Sequence, residues 1–254
     1  MKIFYRILIF ILCIIPMLSH AQKKSRFKVV ALYENGGNHT KYSAKAVEWL
    51  NQLALDSNFT VDYIKNTDKI NEDFLKQYQL FIQLDYPPYA WTDVAKAAFE
   101  KYMMQKKGAS WIGFHHATLL GDFDGYKLWN WFSDFMGGIT FKSYIPGFAS
   151  GKVNIELPKH PIMRGVTNPF IIQKEEWYTY DKNPRSNVEV IASVDESSYE
   201  PDTKVKMGDH PVIWSNPKMK AKNVYIFMGH GADLFENADY KLIFKNAIFW
   251  ATRK

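Results

Sequence analysis

Cysteine is almost absent from this 254-residue sequence, and the single one, Cys13, lies in an apolar N-terminal run. That run, Ile7 to Ile15, follows Lys2 and Arg6 and is closed by Ser19-His20-Ala21. A basic start, a short apolar stretch and a small-x-small end are the sections of a secretory signal peptide. We expect residues 1–21 to be a leader cut after Ala21, leaving 22–254 as one domain. Once Cys13 is gone there is no disulfide, no thiolate nucleophile and no cysteine metal ligand. Leu12 before Cys13 is not the small residue that a lipoprotein anchor requires. Export without disulfides points to the periplasm or the secreted proteins of a Gram-negative bacterium.

Other absences narrow the function. No later segment approaches the ~18 apolar residues of a membrane span, so no membrane anchor is expected after leader removal. There is no G-x-G-x-x-G after the first strand and no G-x-x-x-x-G-K-[ST], so no nucleotide cofactor is indicated. A G-x-S-x-G elbow is missing too. The chain is basic, with net charge +6 and pI near 9.1. Its lysines are scattered or paired, as in Lys23-Lys24 and Lys106-Lys107, without the stripe that reads nucleic acid. We expect a solvated basic surface and no nucleic-acid partner.

What is present is a core-rich chain, 47% apolar and 16% aromatic. Phe27 to Tyr33 reads as a buried first strand running into the turn-rich loop Glu34 to Thr40. Ala46, Val47, Leu50, Leu53 and Ala54 share a helical face. Phe59–Ile64 and Leu80–Leu84 read as strands, with a short helix near 71–78 between them. Thr92 is placed to cap a helix with Ala95, Ala98, Phe99, Tyr102 and Met103 on one side. Ala109–Phe114 is a fourth strand. Strands alternating with helices predict a parallel sheet with helices on both faces. In the second half, Val153–Leu157, Phe170–Gln173, Val188–Val194 and Val212–Trp214 read as inserted or antiparallel strands. Asn223–Met228 reads as a last buried strand, and Asp239 as the cap of a final helix.

Six histidines remain after the leader, at 39, 115, 116, 160, 210 and 230. His39, His115-His116 and His230 each follow a strand, and carboxyl ends of parallel strands share the edge where ligands bind. The clustering favours a site. Proline drives the residue before it into extended geometry, so His160-Pro161 is read as a turn, and His210-Pro211 is left open between turn and site. Glu175-Glu176-Trp177-Tyr178 is the densest acid–aromatic stretch. If it is extended, only one of the two glutamates can face a given cleft.

These pieces occur in a distinctive order: Gly37-Asn38-His39, Gly113-Phe114-His115-His116-Ala117, His160-Pro161, Glu175-Glu176-Trp177-Tyr178, Asn183-Pro184-Arg185, Asp195 to Tyr199, Asp209 to Trp214, and Gly229-His230. In that order the chain resembles the ThuA-like (trehalose-utilisation) family from about Lys28 to Ala251. The resemblance implies a three-layer α/β/α fold with a mostly parallel sheet, like the class I glutamine amidotransferases and flavodoxin. Where those amidotransferases carry a nucleophilic cysteine, this chain has His115, so thiol-based glutamine hydrolysis is excluded. His116 departs from the family's usual single histidine before alanine.

The resemblance also implies a disaccharide or 3-keto-glycoside as substrate. Protons beside a sugar ketone are acidified, and removing one needs a base and a donor to the developing enolate. His115 and Glu176 are the expected acid–base pair, with His230 polarising the ketone. His39, Asp209 and His210 would orient the sugar, and Trp177, Tyr178 and Trp214 would stack on it. Elimination, isomerisation or hydrolysis would follow. Two alternatives stand beside this reading. One is a divalent-metal enzyme using two or three of His39, His115, His210 and His230 near a carboxylate, although no i,i+4 histidine pair marks it. The other is a sugar-binding protein without catalysis. A homo-oligomer is compatible with either.

Overall fold

The computed structural model describes residues 25–253 apart from 35, 106 and 107. The expected leader and the Lys106-Lys107 pair lie outside those residues. The first half alternates as read from the sequence: β1 (Lys28–Tyr33), α1 (Thr40–Ser57), β2 (Thr60–Ile64), α2 (Glu72–Leu75), β3 (Leu80–Leu84), α3 (Asp93–Met103) and β4 (Ser110–Phe114). Then come α4 (Asn130–Phe135), β5 (Phe141–Tyr144), β6 (Ala149–Ile155), β7 (Phe170–Glu175), β8 (Tyr178–Tyr180), β9 (Glu189–Glu200), β10 (His210–Ser215), β11 (Lys222–Ile226) and α5 (Ala238–Ala251). Periodicity had not marked α4, β5 or β8, which are short.

Nine strands form one sheet in the order β2-β1-β3-β4-β11-β10-β9-β6-β7. The pairings from β2 to β11 are parallel, and those from β11 outward through β10, β9, β6 and β7 are antiparallel. The inserted strands of the second half thus extend the same sheet. β5 and β8 pair separately.

The central strands are buried on both faces, and their alternation assigns each residue to a layer. On β4, Phe114 stands 4.5 Å from Phe244 of α5, which also meets Trp49 of α1 at 4.8 Å. Trp111, three residues earlier, points the other way onto Phe132 and Phe135 of α4, beside Phe99 of α3. Helix starts follow local chemistry. Thr92 accepts from Ala95 N as expected, and Asn71 caps α2. The cap of α5 is a correction: Asn237 accepts from Tyr240 N, while Asp239 instead accepts from Thr167 N.

Trp177 joins the antiparallel half to the rest. It is fully buried, stacks between Phe227 (5.4 Å) and Tyr199 (5.7 Å), and donates its Nε1 hydrogen to Ala149 O. Trp177→Ala would leave a large cavity and an unpaired carbonyl. We predict a loss of about 3–5 kcal/mol in stability, read as a lower urea midpoint with an unchanged slope.

Candidate metal centre at the carboxyl edge of the sheet

Parallel pairing brings the ends of β1, β4 and β11 to one edge, and the chain deposits a histidine at each. His39 ends the 3-10 turn after β1, His115 opens the turn after β4, and His230 follows β11. Glu176 arrives from the antiparallel half, between β7 and β8. His230 Nδ1 lies 3.0 Å from His39 Nε2, 3.4 Å from His115 Nε2 and 3.3 Å from Glu176 Oε2. His115 Nε2 and Glu176 Oε2 are 3.7 Å apart. Ligands held about 2.0–2.1 Å from a tetrahedral Zn²⁺ stand about 3.3 Å from one another. Three imidazole nitrogens and one carboxylate oxygen therefore have the spacing of a metal-ligand set, and all lie within 4.8 Å of one another.

Their protonation suits that use, since metals take neutral imidazole and ionised carboxylate. Burial pushes His39 below its ordinary value and His115 well below. Burial opposes charge on Glu176, yet the His115 and His230 imidazoles hold it well below the usual carboxylate range. Behind the donors stands an outer layer. Glu34 Oε2 is 3.3 Å from His39 Nδ1 and 3.2 Å from His116 Nδ1. A proton on His39 Nδ1, facing Glu34, leaves the Nε2 lone pair for the centre. His116 Nδ1 is 2.9 Å from Asp85 O, and a carbonyl only accepts, so this nitrogen carries its hydrogen. The second histidine of the pair is thus turned to the outer layer, where it approaches the same glutamate.

Both adjacent glutamates reach His115. Glu175 Oε1 lies 3.7 Å from His115 Nδ1, on the opposite side of the ring from Glu176. Glu175 also accepts from Glu176 N and Gly229 N, and burial pushes it up to about 7. Only Glu176 joins the converging set, while Glu175 is fully buried behind the ring. Lys174 takes a left-handed φ of 53° and β7 ends at Glu175, so strict alternation does not extend through the pair. Close approach is made by Gly229, where a Cβ would stand 2.8 Å from His115 Cβ and 2.9 Å from Asp85 Oδ1.

The remaining sequence candidates divide. Tyr178 belongs to the site, its ring 4.5 Å from His115. Trp177 and Trp214 do not present a face to a ligand: both are buried in the core, Trp214 against Tyr225 at 4.4 Å. Asp209 pairs with the Arg185 guanidinium, which also holds Glu156. His160 is a turn residue, capping the 3-10 turn 161–163 with its ring on Trp250. His210 lies outside the converging set, buried with Nδ1 2.9 Å from Glu196 Oε1 and 3.1 Å from Tyr199 Oη. Glu34 and Asp85 were not singled out, although both follow strands ending at this edge, and the strand-end rule that found the histidines covers them as well.

Burial raises the Glu196 carboxyl, but hydrogen bonds from His210, Met207 N and Gly208 N outweigh it and leave it below its ordinary value. A depressed folded-state value stabilises the fold above the ordinary range near 4.3, and that gain is lost as pH falls through the lowered value. We predict that Glu196→Gln costs about 1–3 kcal/mol at pH 7. The gap from wild type should shrink as thermal melts are repeated toward acid pH.

Residues 28–251 match the family model ThuA, described as trehalose utilisation. A ThuA-like protein of Bacteroides uniformis shares 29% identity, with a TM-score of 0.79 over 90% of this chain and 92% of that one. A second, from Parabacteroides merdae, shares 15% identity, with TM-score 0.65 over 89% and 90%. The glutaminase domain of Trypanosoma brucei CTPS, 8% identical, aligns with TM-score 0.52 over 88% and 94%, a likeness of fold alone. No curated protein matches the chain.

Proposed function

The chain belongs to the ThuA (trehalose utilisation) family, and we propose that it is an exported, divalent-metal-dependent enzyme acting on a disaccharide or 3-keto-glycoside. The observation that carries the metal part is the convergence of His39 Nε2, His115 Nε2, His230 Nδ1 and Glu176 Oε2. The substrate class rests on the family description, and export on the sequence pattern of residues 1–21. A metal-free His115–Glu176 pair is less well supported, because its 3.7 Å separation is longer than a hydrogen bond.

A bound cation would polarise a sugar carbonyl or hydroxyl oxygen. Each protein group then has a distinct task. Glu34 faces His39 Nδ1 and fixes which nitrogen points inward. Glu175 stands 3.7 Å from His115 Nδ1, a carboxyl facing the side of the ring away from the centre. Glu176 is ionised and more open to solvent than Glu175, so its second oxygen is available to take a proton from the carbon beside a ketone. Returning that proton to the glycosidic oxygen, as its C–O bond breaks and a C=C bond forms, completes an elimination. Returning it to the former ketone carbon, while the hydroxyl proton of the deprotonated carbon passes to the former ketone oxygen and leaves a new ketone behind, completes an isomerisation.

The test is metal content together with product analysis on 3-keto-trehalose. We predict about one divalent ion per chain, with turnover lost on chelation and restored by the metal. His39→Gln and His230→Gln should each lower metal occupancy and turnover by at least tenfold while the melting temperature of the metal-free protein stays near that of wild type. Full turnover in chelated protein would overturn the metal role. Saturable sugar binding without turnover would leave a sugar-binding protein.

A further inference from the structure

We propose that Phe148 is the floor of a second sugar subsite beside the His/Glu cluster, and that the substrate is a neutral glycoside of at least two rings. This rests on the metal-dependent sugar reading above and adds a position and a charge class to it.

Among the described residues, the prominently exposed aromatic side chains are Phe148 (47%), Tyr144 (51%) and Tyr126 (52%). Of the three, Phe148 is the one whose ring meets a member of the cluster directly. The Phe148 ring is 4.8 Å from that of His230. Tyr144 is linked to His115 through Phe141 and Tyr178, with ring separations of 6.5, 5.0 and 4.5 Å. Tyr126 packs on Tyr89 at 6.0 Å. The other large exposed apolar residues, Leu55, Val94, Met104 and Ile171, are aliphatic.

Phe148 is held in register with the candidate ligand Glu176. It sits on the turn between β5 and β6, where Gly147 takes a φ of +88° and a side chain would be strained. Ile145 N donates to Trp177 O, and Trp177 Nε1 donates to Ala149 O. The residue next to Glu176 therefore clamps the turn on both sides of Phe148. A phenyl ring has no polar atom, so it offers only a face. A pyranose can place its C–H face on that ring while its hydroxyls turn to the imidazoles and carboxylates next door, the mixture of aromatic wall and few polar groups typical of small-molecule sites.

Charge limits the ligand further. Glu34, Glu175 and Glu176 pair only with histidines among the described residues. The fully buried Asp85 adds a fourth carboxyl with neither oxygen hydrogen-bonded. With no lysine or arginine paired to these acids among the described residues, a phosphate placed beside them is repelled without a cationic partner, whereas the hydroxyls of a neutral sugar can donate to them.

The experiment is calorimetric titration of the metal-containing protein with trehalose, glucose and trehalose 6-phosphate. Wild type, Phe148→Ala, Phe148→Trp and Leu55→Ala are compared, with metal content measured in each. We expect trehalose to bind at least tenfold more tightly than either other sugar. Phe148→Ala should weaken trehalose binding about 5–10-fold and leave glucose unchanged. Phe148→Trp should retain affinity, and Leu55→Ala, on a distant exposed site, should have no effect. Equal trehalose affinity in wild type and Phe148→Ala overturns the subsite, as does equal affinity of wild type for trehalose and glucose; normal metal content would then leave the metal centre standing. Tighter binding of the phosphorylated sugar overturns the charge assignment. Absence of both metal and sugar binding in wild type removes the subsite together with the functional reading beneath it.

Discussion

His115 adopts a left-handed backbone conformation, φ 36°, at a fully buried position between β4 and the turn that follows. A non-glycine residue there costs about 1–3 kcal/mol and persists only where its surroundings over-determine it. Here its carbonyl accepts from Tyr225 Oη at 3.0 Å and from Thr118 Oγ1 at 3.1 Å. Thr118 Oγ1 also meets Tyr180 Oη at 2.8 Å and Tyr225 Oη at 2.7 Å. On the other side, Gly229 withdraws the Cβ that would collide with His115. This buried hydroxyl network draws on β8, β11 and the 115–118 turn, so the imidazole is aimed by several distant segments at once. The placement of His39, His230 and Glu176 around it gains meaning only because His115 is held this way.

The second constraint is electrostatic. Four histidines (39, 115, 116 and 230) and four acids (34, 85, 175 and 176) occupy one edge of the sheet, each of them buried or half-buried. Charges so placed must be neutralised or paired. Burial drives Asp85 well above the usual carboxylate range, with Glu34 and Glu175 adding to the effect. Glu34 goes the other way: burial opposes its charge, but contacts with His116 and His39 bring it down to about 2. Two carboxyls of one site are therefore pushed in opposite directions, decided by whether an imidazole faces them. A cation at the converging nitrogens would further offset the two ionised carboxylates, Glu34 and Glu176.

Much of this was legible beforehand. The run from β1 to β4 followed from apolar periodicity, the cap at Thr92 from its side chain, and the strand-end position of three histidines from one topological rule. The aromatics were misread. Trp177 and Trp214 stand beside acids and a His-Pro pair, and nothing local distinguishes an indole that lines a cleft from one that fills a core. Phe148, the exposed ring against His230, lies in a Pro-Gly turn with no pattern to mark it. His210 was ambiguous for a similar reason, since its partner Glu196 comes from the neighbouring strand.

Residue order alone settled the alternating architecture, the lack of any cysteine after Cys13 and the family. These depend on hydrophobic spacing, on which residue types are present and on motif order, all of them properties of the chain taken a few residues at a time. Tertiary structure settled which donors meet. Glu176 reaches His115, more than 60 residues before it in the sequence, because β7 and β8 return to the edge where β4 ends, and a left-handed Lys174 lets both glutamates bracket one ring. Convergence of this kind depends on the crossing of distant strands and on single backbone dihedrals, and neither leaves a periodic trace in the amino-acid order.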